Sequence, residues 1–362
     1  MGFLYHHLPI YLYGHPFPEY ADVNDHEKLL GFASFGFPKS HAAAFGLLAY
    51  QSAWLRHHYP AEFLCALLNA QPMGFYPPAS LVRDAQRRGV EVRPPDINSS
   101  DAKCSLEGSA LVVRVGLAYV KSVGEEPAKA LVADRAANGP FRNVADLAGR
   151  APVDRAALEA LVASGACDGF GWPRRQLLWR LGLAPRIAPA TRGAAQLVLP
   201  LEPQTEIPDL PEQTAWEAML ADYRHTSMSV GTHPLELLRP LLPAEVISSQ
   251  ELLAVQHGEH VSVAGLVIAR QRPETAHGVV FMLLEDENGQ VNLIVPPWVY
   301  DRFRAAVRGE QLLLARGRYE ANQANKNVVV DELRSLAPLA RRAAGEAEIR
   351  SALPSAHSFG RR

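Results

Sequence analysis

Five apolar runs near the end of the chain decide its fold: Val261–Gln271 (VSVAGLVIARQ), Val279–Asp286 (VVFMLLED), Val291–Pro296 (VNLIVP), Gln311–Glu320 (QLLLARGRYE) and Asn327–Leu336 (NVVVDELRSL). Each is short and rich in Val, Ile and Leu, as half-buried strands are. A helical stretch, Val299–Val307, separates the third from the fourth. Five strands with a helix between the third and fourth is the element order of an OB-type barrel. The acidic triplet Glu285-Asp286-Glu287 could suggest a metal site, but Asn288-Gly289 follows it, and that pair makes it a hairpin turn. Such a barrel binds single strands by stacking bases on aromatics beside basic side chains. Candidates are Arg270, Arg272, Phe281, Arg316, Arg318 and Tyr319, with Arg318 and Tyr319 near a strand end favoured over mid-strand Phe281.

Upstream the period changes to helical. The stretch 41–69 carries apolar residues at helical spacing, and Pro60 divides it into two helices. Ser40 stands where an N-cap is needed. A third helix, Ala79–Arg88, ends at Gly89. Short strands are expected near residues 90–98 and over Leu111–Val115, then helices over Glu125–Ala137 and Val153–Ser164. Residues 169–201 contain five arginines (174, 175, 180, 186 and 192) and no acidic residue, and end in a connector of Pro, Ala and Gly. Thr214–Leu242 is mostly helical, interrupted at Gly231 and His233-Pro234. The domain reading is a leader (1–27), a helical segment (28–105), a paired hairpin domain (106–185), a linker (186–245), the barrel (246–340) and a tail (341–362). The fold class is therefore multidomain α+β.

The sharpest local motif is Gly116–Arg135, GLAYVKSVGEEPAKALVADR. Apolar Leu117, Val120 and Val123 lead into a turn at Gly124, and Ala128, Leu131 and Val132 form the inner face of a second helix. A helix-hairpin-helix of this shape presents backbone N–H groups and a helix N-terminus to a DNA phosphate. Candidate DNA contacts are Lys121, Ser122, Val123 and Gly124, with Ser122 at the position usually held by the turn's first glycine. A plain αα-hairpin with a glycine turn explains the same pattern. A second copy, Leu158–Gly169 (LEALVASGACDG), adds Gly165 as a candidate and favours a tandem pair.

Charge and composition narrow the partners. The net charge is −2 and the pI about 6.7, so DNA contact has to come from local patches rather than bulk charge. Cys65, Cys104 and Cys167 form no CxxC pair, which offers neither zinc site nor disulfide framework and suits a cytoplasmic protein. His6, His7 and His15 lie in a Pro-rich leader without a carboxylate or cysteine at ligand spacing, so no metal site is expected there. No apolar run suits a membrane span.

At this point the string from residue 28 onward is similar to a known family. GFASFGFPKSHAAAFGLLAYQSAWLRHHYPAEFLCALLNAQPMGFYPPASLVRDAQRRGVEVRPPDINSSD (31–101) resembles the end of the fingers of the C-family bacterial DNA polymerases. That is the family of the replicative polymerase III alpha subunit, and QPMGFYPPASLVRDAQRRGVEVRPPDIN is closest in character to its error-prone branch. VRVGLAYVKSVGEEPAKALV falls where the family has its helix-hairpin-helix pair, and residues 261–297 fall at its OB domain. The terminal SAHSF is similar to a Ser-Arg-Asp-Phe-His ending.

The resemblance implies DNA as partner, both primer–template and single-stranded template. It places Lys39, Ser40 and His41 close to an incoming nucleotide. Gln196, Leu197, Leu199 and Leu201 of QLVLPL resemble the short peptide that docks on a sliding clamp. It implies Mg²⁺ for the parent polymerase, held by palm aspartates, and no cofactor in this chain. Residues 1–110 contain no Asp-x-Asp pair, and Asp22 and Asp25 have the wrong spacing. The expectation is a DNA-binding portion of a translesion polymerase that does not polymerise alone. The alternatives are a stand-alone DNA-binding adaptor and a non-functional truncated remnant.

Overall fold

In a computed structural model the described residues are 39–73, 77–108, 111–184, 208–321, 326–344, 353 and 357–359. The clamp-like peptide Gln196–Leu201 lies outside them, as does the leader. The chain divides into two compact units, residues 1–63 and 64–362.

The first unit contains helix α1, Lys39–His58, and the start of α2, Pro60–Asn69. The break falls at Pro60, whose ring cannot extend a preceding helix. Helix α1 begins at Lys39, so Ser40 sits inside its first turn rather than capping it. Ser40 and His41 are exposed, and the His41 ring packs on Phe45 at 4.4 Å between centroids. The side chain of Lys39 lies outside the described residues.

In the second unit α3 (Pro78–Gln86) leads into a three-stranded sheet in which β1 (Glu91–Arg93) runs parallel to β3 (Val112–Arg114). The two-residue β2 (Ser105–Leu106), too short for a sequence pattern, pairs antiparallel on the other edge. Helices α4 (Glu125–Asn138), α5 (Val144–Arg150), α6 (Arg155–Ala163) and α7 (Arg174–Leu183) follow. They share one core in which Leu117, Val123, Leu131, Phe141, Leu147, Leu161 and Leu181 are buried. Helix α5 begins with Asn143, whose side chain accepts from the Asp146 N–H, and α6 with Asp154, which accepts from Ala157 N–H.

Helix α8 (Ala215–Thr226) starts with a capping box, Thr214 with Glu217, and α9 (Pro234–Leu238) with the side chain of His233. Next comes the short β4 (Val246–Ile247), which pairs with β5 (His260–Gln271). The barrel is β5, β6 (Val280–Glu285), β7 (Gln290–Val295), β8 (Leu312–Ala321) and β9 (Lys326–Ser335). Pairing runs β5-β6-β7-β9-β8 and back to β5, with β7 and β9 parallel and the other neighbours antiparallel. That is a closed five-stranded OB-type barrel. Helices α10 (Pro297–Arg302) and α11 (Arg304–Gly309) occupy the expected place between its third and fourth strands. Helix α12 (Ala337–Ala344) follows, and β10 (His357–Phe359) runs parallel to the end of β5.

Glycines close the barrel where strands cross tightly. A Cβ on Gly317 would stand 2.1 Å from the Val329 carbonyl oxygen, at the point where β8 and β9 shift register. Only glycine permits that approach. The β6–β7 turn closes as a hairpin, with Asp286 Oδ1 accepting from the N–H groups of Asn288 (2.9 Å) and Gly289 (2.7 Å). Its acidic residues are nonetheless buried: Glu285 and Asp286 are 2% and 3% exposed. They face Arg87, Arg239 and His233 of the helical region.

Truncating one fully buried member tests that shared core. Leu131→Ala is expected to cost about 2–5 kcal/mol of stability, the usual range for a fully buried leucine. Chemical denaturation followed by circular dichroism would measure it.

Candidate nucleic-acid interface

The first hairpin rests on a close backbone contact. Gly116 lies on residues 102–103: a Cβ there would be 2.3 Å from the Lys103 carbonyl carbon. Segment 102–104 is held in turn by Asn69, whose Nδ2 donates to the Cys104 carbonyl (2.8 Å) and whose Oδ1 accepts from its N–H (2.9 Å). A single helical turn, Leu117–Tyr119, then leads into the bend. Val123 N–H donates to the Val120 carbonyl at 3.1 Å. Ser122 has φ 73° and Gly124 φ 75°, so both bend residues adopt the left-handed half of the map. The sequence motif therefore holds its shape with serine in the first glycine position, at a cost of about 1–2 kcal/mol in backbone strain.

Val123 is buried and anchors the turn, which makes its role structural; Lys121, Ser122 and Gly124 are exposed. Among the described residues no side chain caps α4, which leaves the N–H groups of Glu125 and Glu126 without an intrahelical partner, Pro127 having no N–H. Glu125 and Glu126 sit in that turn, and their charge is met by Lys129 and, for Glu125, Lys103. These ion pairs hold the Glu125 carboxyl below its usual value, hydrogen bonds from the two lysines being the main cause.

The second hairpin is occupied by its own chain. Gly165 has φ 85° and is buried beneath the guanidinium of Arg174, which a Cβ there would strike. Arg174 Nε and Nη2 donate to Asp168 (3.0 and 2.9 Å), and Nη1 donates to Asp222 (2.9 Å) and the Ala163 carbonyl (3.2 Å). Gly165, expected to approach a phosphate, is covered by this guanidinium, whose Nε, Nη1 and Nη2 all donate within the chain.

The barrel candidates separate by strand alternation. Tyr319 is 1% exposed in the barrel core, so it cannot serve as a stacking platform. Leu313, Ala315, Gly317 and Tyr319 alternate inward, which leaves Arg316 and Arg318 outside. Arg318 pairs with Glu320 at 2.8 Å. Arg270 is also withdrawn: its Nη2 donates to the Glu310 carbonyl, and burial lowers its pKa. Arg272 is exposed and lies over the Tyr300 ring at 4.3 Å. Half-buried Phe281 belongs to one cross-strand row, Phe281–Ile294–Val329–Arg318–His260, that follows the outside of the barrel. The residues missed by sequence reading are Trp298 and His260, which with Arg302, Arg316, Asp331 and Glu332 line a groove of about 420 Å³. Trp298 directly follows a Pro-Pro pair after an apolar strand, where an exposed aromatic was readable as an open one.

Comparison with known proteins fits this geometry. Residues 89–177 match the family described as "Helix-hairpin-helix motif", a span covering both hairpins. The error-prone DNA polymerase of Anaeromyxobacter dehalogenans (strain 2CP-C) is 47% identical over 325 residues, 87% of this chain and 28% of that protein. This chain is homologous to part of the error-prone DNA polymerases. The Nocardia farcinica (strain IFM 10152) error-prone polymerase is 42% identical, covering 86% of the chain and 27% of its own length. For Pseudomonas fluorescens (strain Pf0-1) the figures are 42%, 89% and 31%. The chain thus spans less than a third of the error-prone polymerases it matches. Among the described residues no helix is long and apolar enough to cross a membrane.

The two turns predict opposite responses. Ser122→Gly is expected to leave folding intact and raise stability slightly, by less than about 1 kcal/mol, by removing left-handed strain. Gly165→Ala is expected to destabilise by about 1–3 kcal/mol, since it adds strain and displaces Arg174. Paired thermal melts of the two variants would check both signs.

Proposed function

We propose that this chain is the DNA-gripping portion of an error-prone, translesion DNA-directed DNA polymerase, binding primer–template DNA without polymerising by itself. The observation that carries the reading is the first hairpin: a bend with two left-handed residues, an uncapped helix start and Lys121 beside it, in a chain homologous to such polymerases. Those features suit a phosphate of a duplex backbone, which positions DNA without reading its sequence. The barrel adds a face for a displaced or template single strand. Its apolar row Phe281–Ile294–Val329 supplies surface for bases, and Arg318 and Arg272 lie on or near it for phosphates.

In this reading Gln196, Leu197, Leu199 and Leu201 tether the chain to a sliding clamp, which would keep a weak duplex grip from dissociating. Phosphoryl transfer, with its Mg²⁺ and palm aspartates, is assigned no step here. Lys39, Ser40 and His41 would approach the nucleotide only when a palm is supplied.

Fluorescence anisotropy with duplex, primer–template and single-stranded DNA across a salt series tests the proposal. Duplex affinity should fall with a log–log slope of about −0.9 for each phosphate contacted. Absence of duplex binding at low salt would overturn the reading. Primer extension with Mg²⁺ and nucleotides should give no product; extension would show that polymerisation does not need a separate palm. Gln196→Ala with Leu199→Ala should abolish clamp binding in calorimetry while leaving the DNA slope unchanged.

A further inference from the structure

Lys121 is tied to a part of the chain more than a hundred residues away. Its backbone N–H donates to the carbonyl of His225 at 2.7 Å, joining the hairpin bend to the last turn of α8. Next to it in sequence, Arg224 is exposed, and neither Arg224 nor Lys121 has a carboxylate partner among the described residues. Burial, and after it the charges of Arg224 and Lys121, lower the pKa of the half-buried His225 ring. This region lies outside the span that matches the helix-hairpin-helix family.

We propose that Arg224 belongs to the same DNA-backbone site as Lys121, so that the first hairpin's grip is a composite of the 120–125 bend and the C-terminal turn of α8. The inference rests on the DNA-binding reading above and adds a residue and a segment to it.

Three observations support it. First, the hydrogen bond fixes where the last turn of α8 lies relative to the bend, so the two segments that carry Lys121 and Arg224 are already held side by side in the free protein. Binding then costs little ordering. Second, the neighbouring basic groups are excluded. Arg174 spends its donors on Asp168, Asp222 and Ala163, and Lys103 pairs with Glu125. Third, burial and the charges of Arg224, Lys121 and Arg174 hold His225 below its ordinary pKa. Above pH 7 its ring is neutral, and the composite carries two cations rather than three. The carboxylate nearest in sequence, Asp222, is engaged by Arg174 and does not neutralise Arg224.

The experiment measures duplex affinity at pH 8 over a salt series for the wild-type chain, Lys121→Gln, Arg224→Gln and a control in the barrel strand β9, Arg334→Gln, whose guanidinium pairs with Glu332. Arg224→Gln should reduce the slope of log affinity against log salt by about 0.9, as Lys121→Gln does, while Arg334→Gln leaves it unchanged. Thermal melts matching wild type would show that Arg224→Gln still folds, as its exposure leads one to expect. If Lys121→Gln lowers the slope and Arg224→Gln does not, the composite site is wrong and the hairpin reading survives. If the wild-type chain binds duplex and neither variant changes the slope, the hairpin reading itself is wrong, and this inference with it. Arg224→Lys, which keeps the charge, should restore most of the slope; failure to do so would also overturn the proposal.

Discussion

The Arg174–Asp222 ion pair is the constraint on which the hairpin surface depends. It joins α7 to α8 at 2.9 Å, and the same guanidinium closes the second hairpin over Gly165 through Asp168. Asp222 is largely buried; desolvation raises its pKa, and Arg174 with Ser229 pulls it back down. Removing the arginine would leave a desolvated carboxylate with no cation, the expensive half of a buried pair. Since α8 is also the helix whose last turn meets Lys121, the second hairpin helps set the position of the first. The second copy of the motif thus braces the first.

Much of this architecture was readable, and the misreadings have specific causes. The barrel was legible because each strand is a short Val/Ile/Leu run and the intervening helix has a fixed place in the order. The first hairpin was legible despite Ser122, because Val120, Val123 and Leu131 still spell its core. The cover over the second was not legible, because a glycine at a helix end looks the same whether or not an arginine lies above it. Arg174 stood in a stretch without acidic residues, yet its partners, Asp168 and Asp222, lie just before that window and well beyond it. Tyr319 was an avoidable error, since strict alternation from Leu313 already pointed it inward. No local pattern could have joined Lys121 to His225, because that contact is made only when the core brings α8 alongside the bend.

Electrostatics distinguishes surface from scaffold throughout the second unit. Most of the arginines that look available in the sequence are committed: Arg114 to Glu107, Arg135 to the carbonyls of Ile97 and Ser100, Arg150 to Asp134 and Asp146. These pairings leave those arginines unavailable to an outside anion.

The buried β6–β7 turn has a practical consequence. An Asp-x-Asn-Gly hairpin tip is ordinarily a place where a chain tolerates a tag, a fluorophore or a cut. Here Glu285 and Asp286 are almost wholly enclosed, with Arg87 3.6 Å from Glu285, Arg239 3.6 Å from Asp286, and the Ser249 hydroxyl donating to Asp286 at 2.6 Å. An insertion at that tip would separate the barrel from the helices it is locked to. Probes meant to report on the barrel therefore belong elsewhere on its surface, because this turn is a hinge pin and not a loose end.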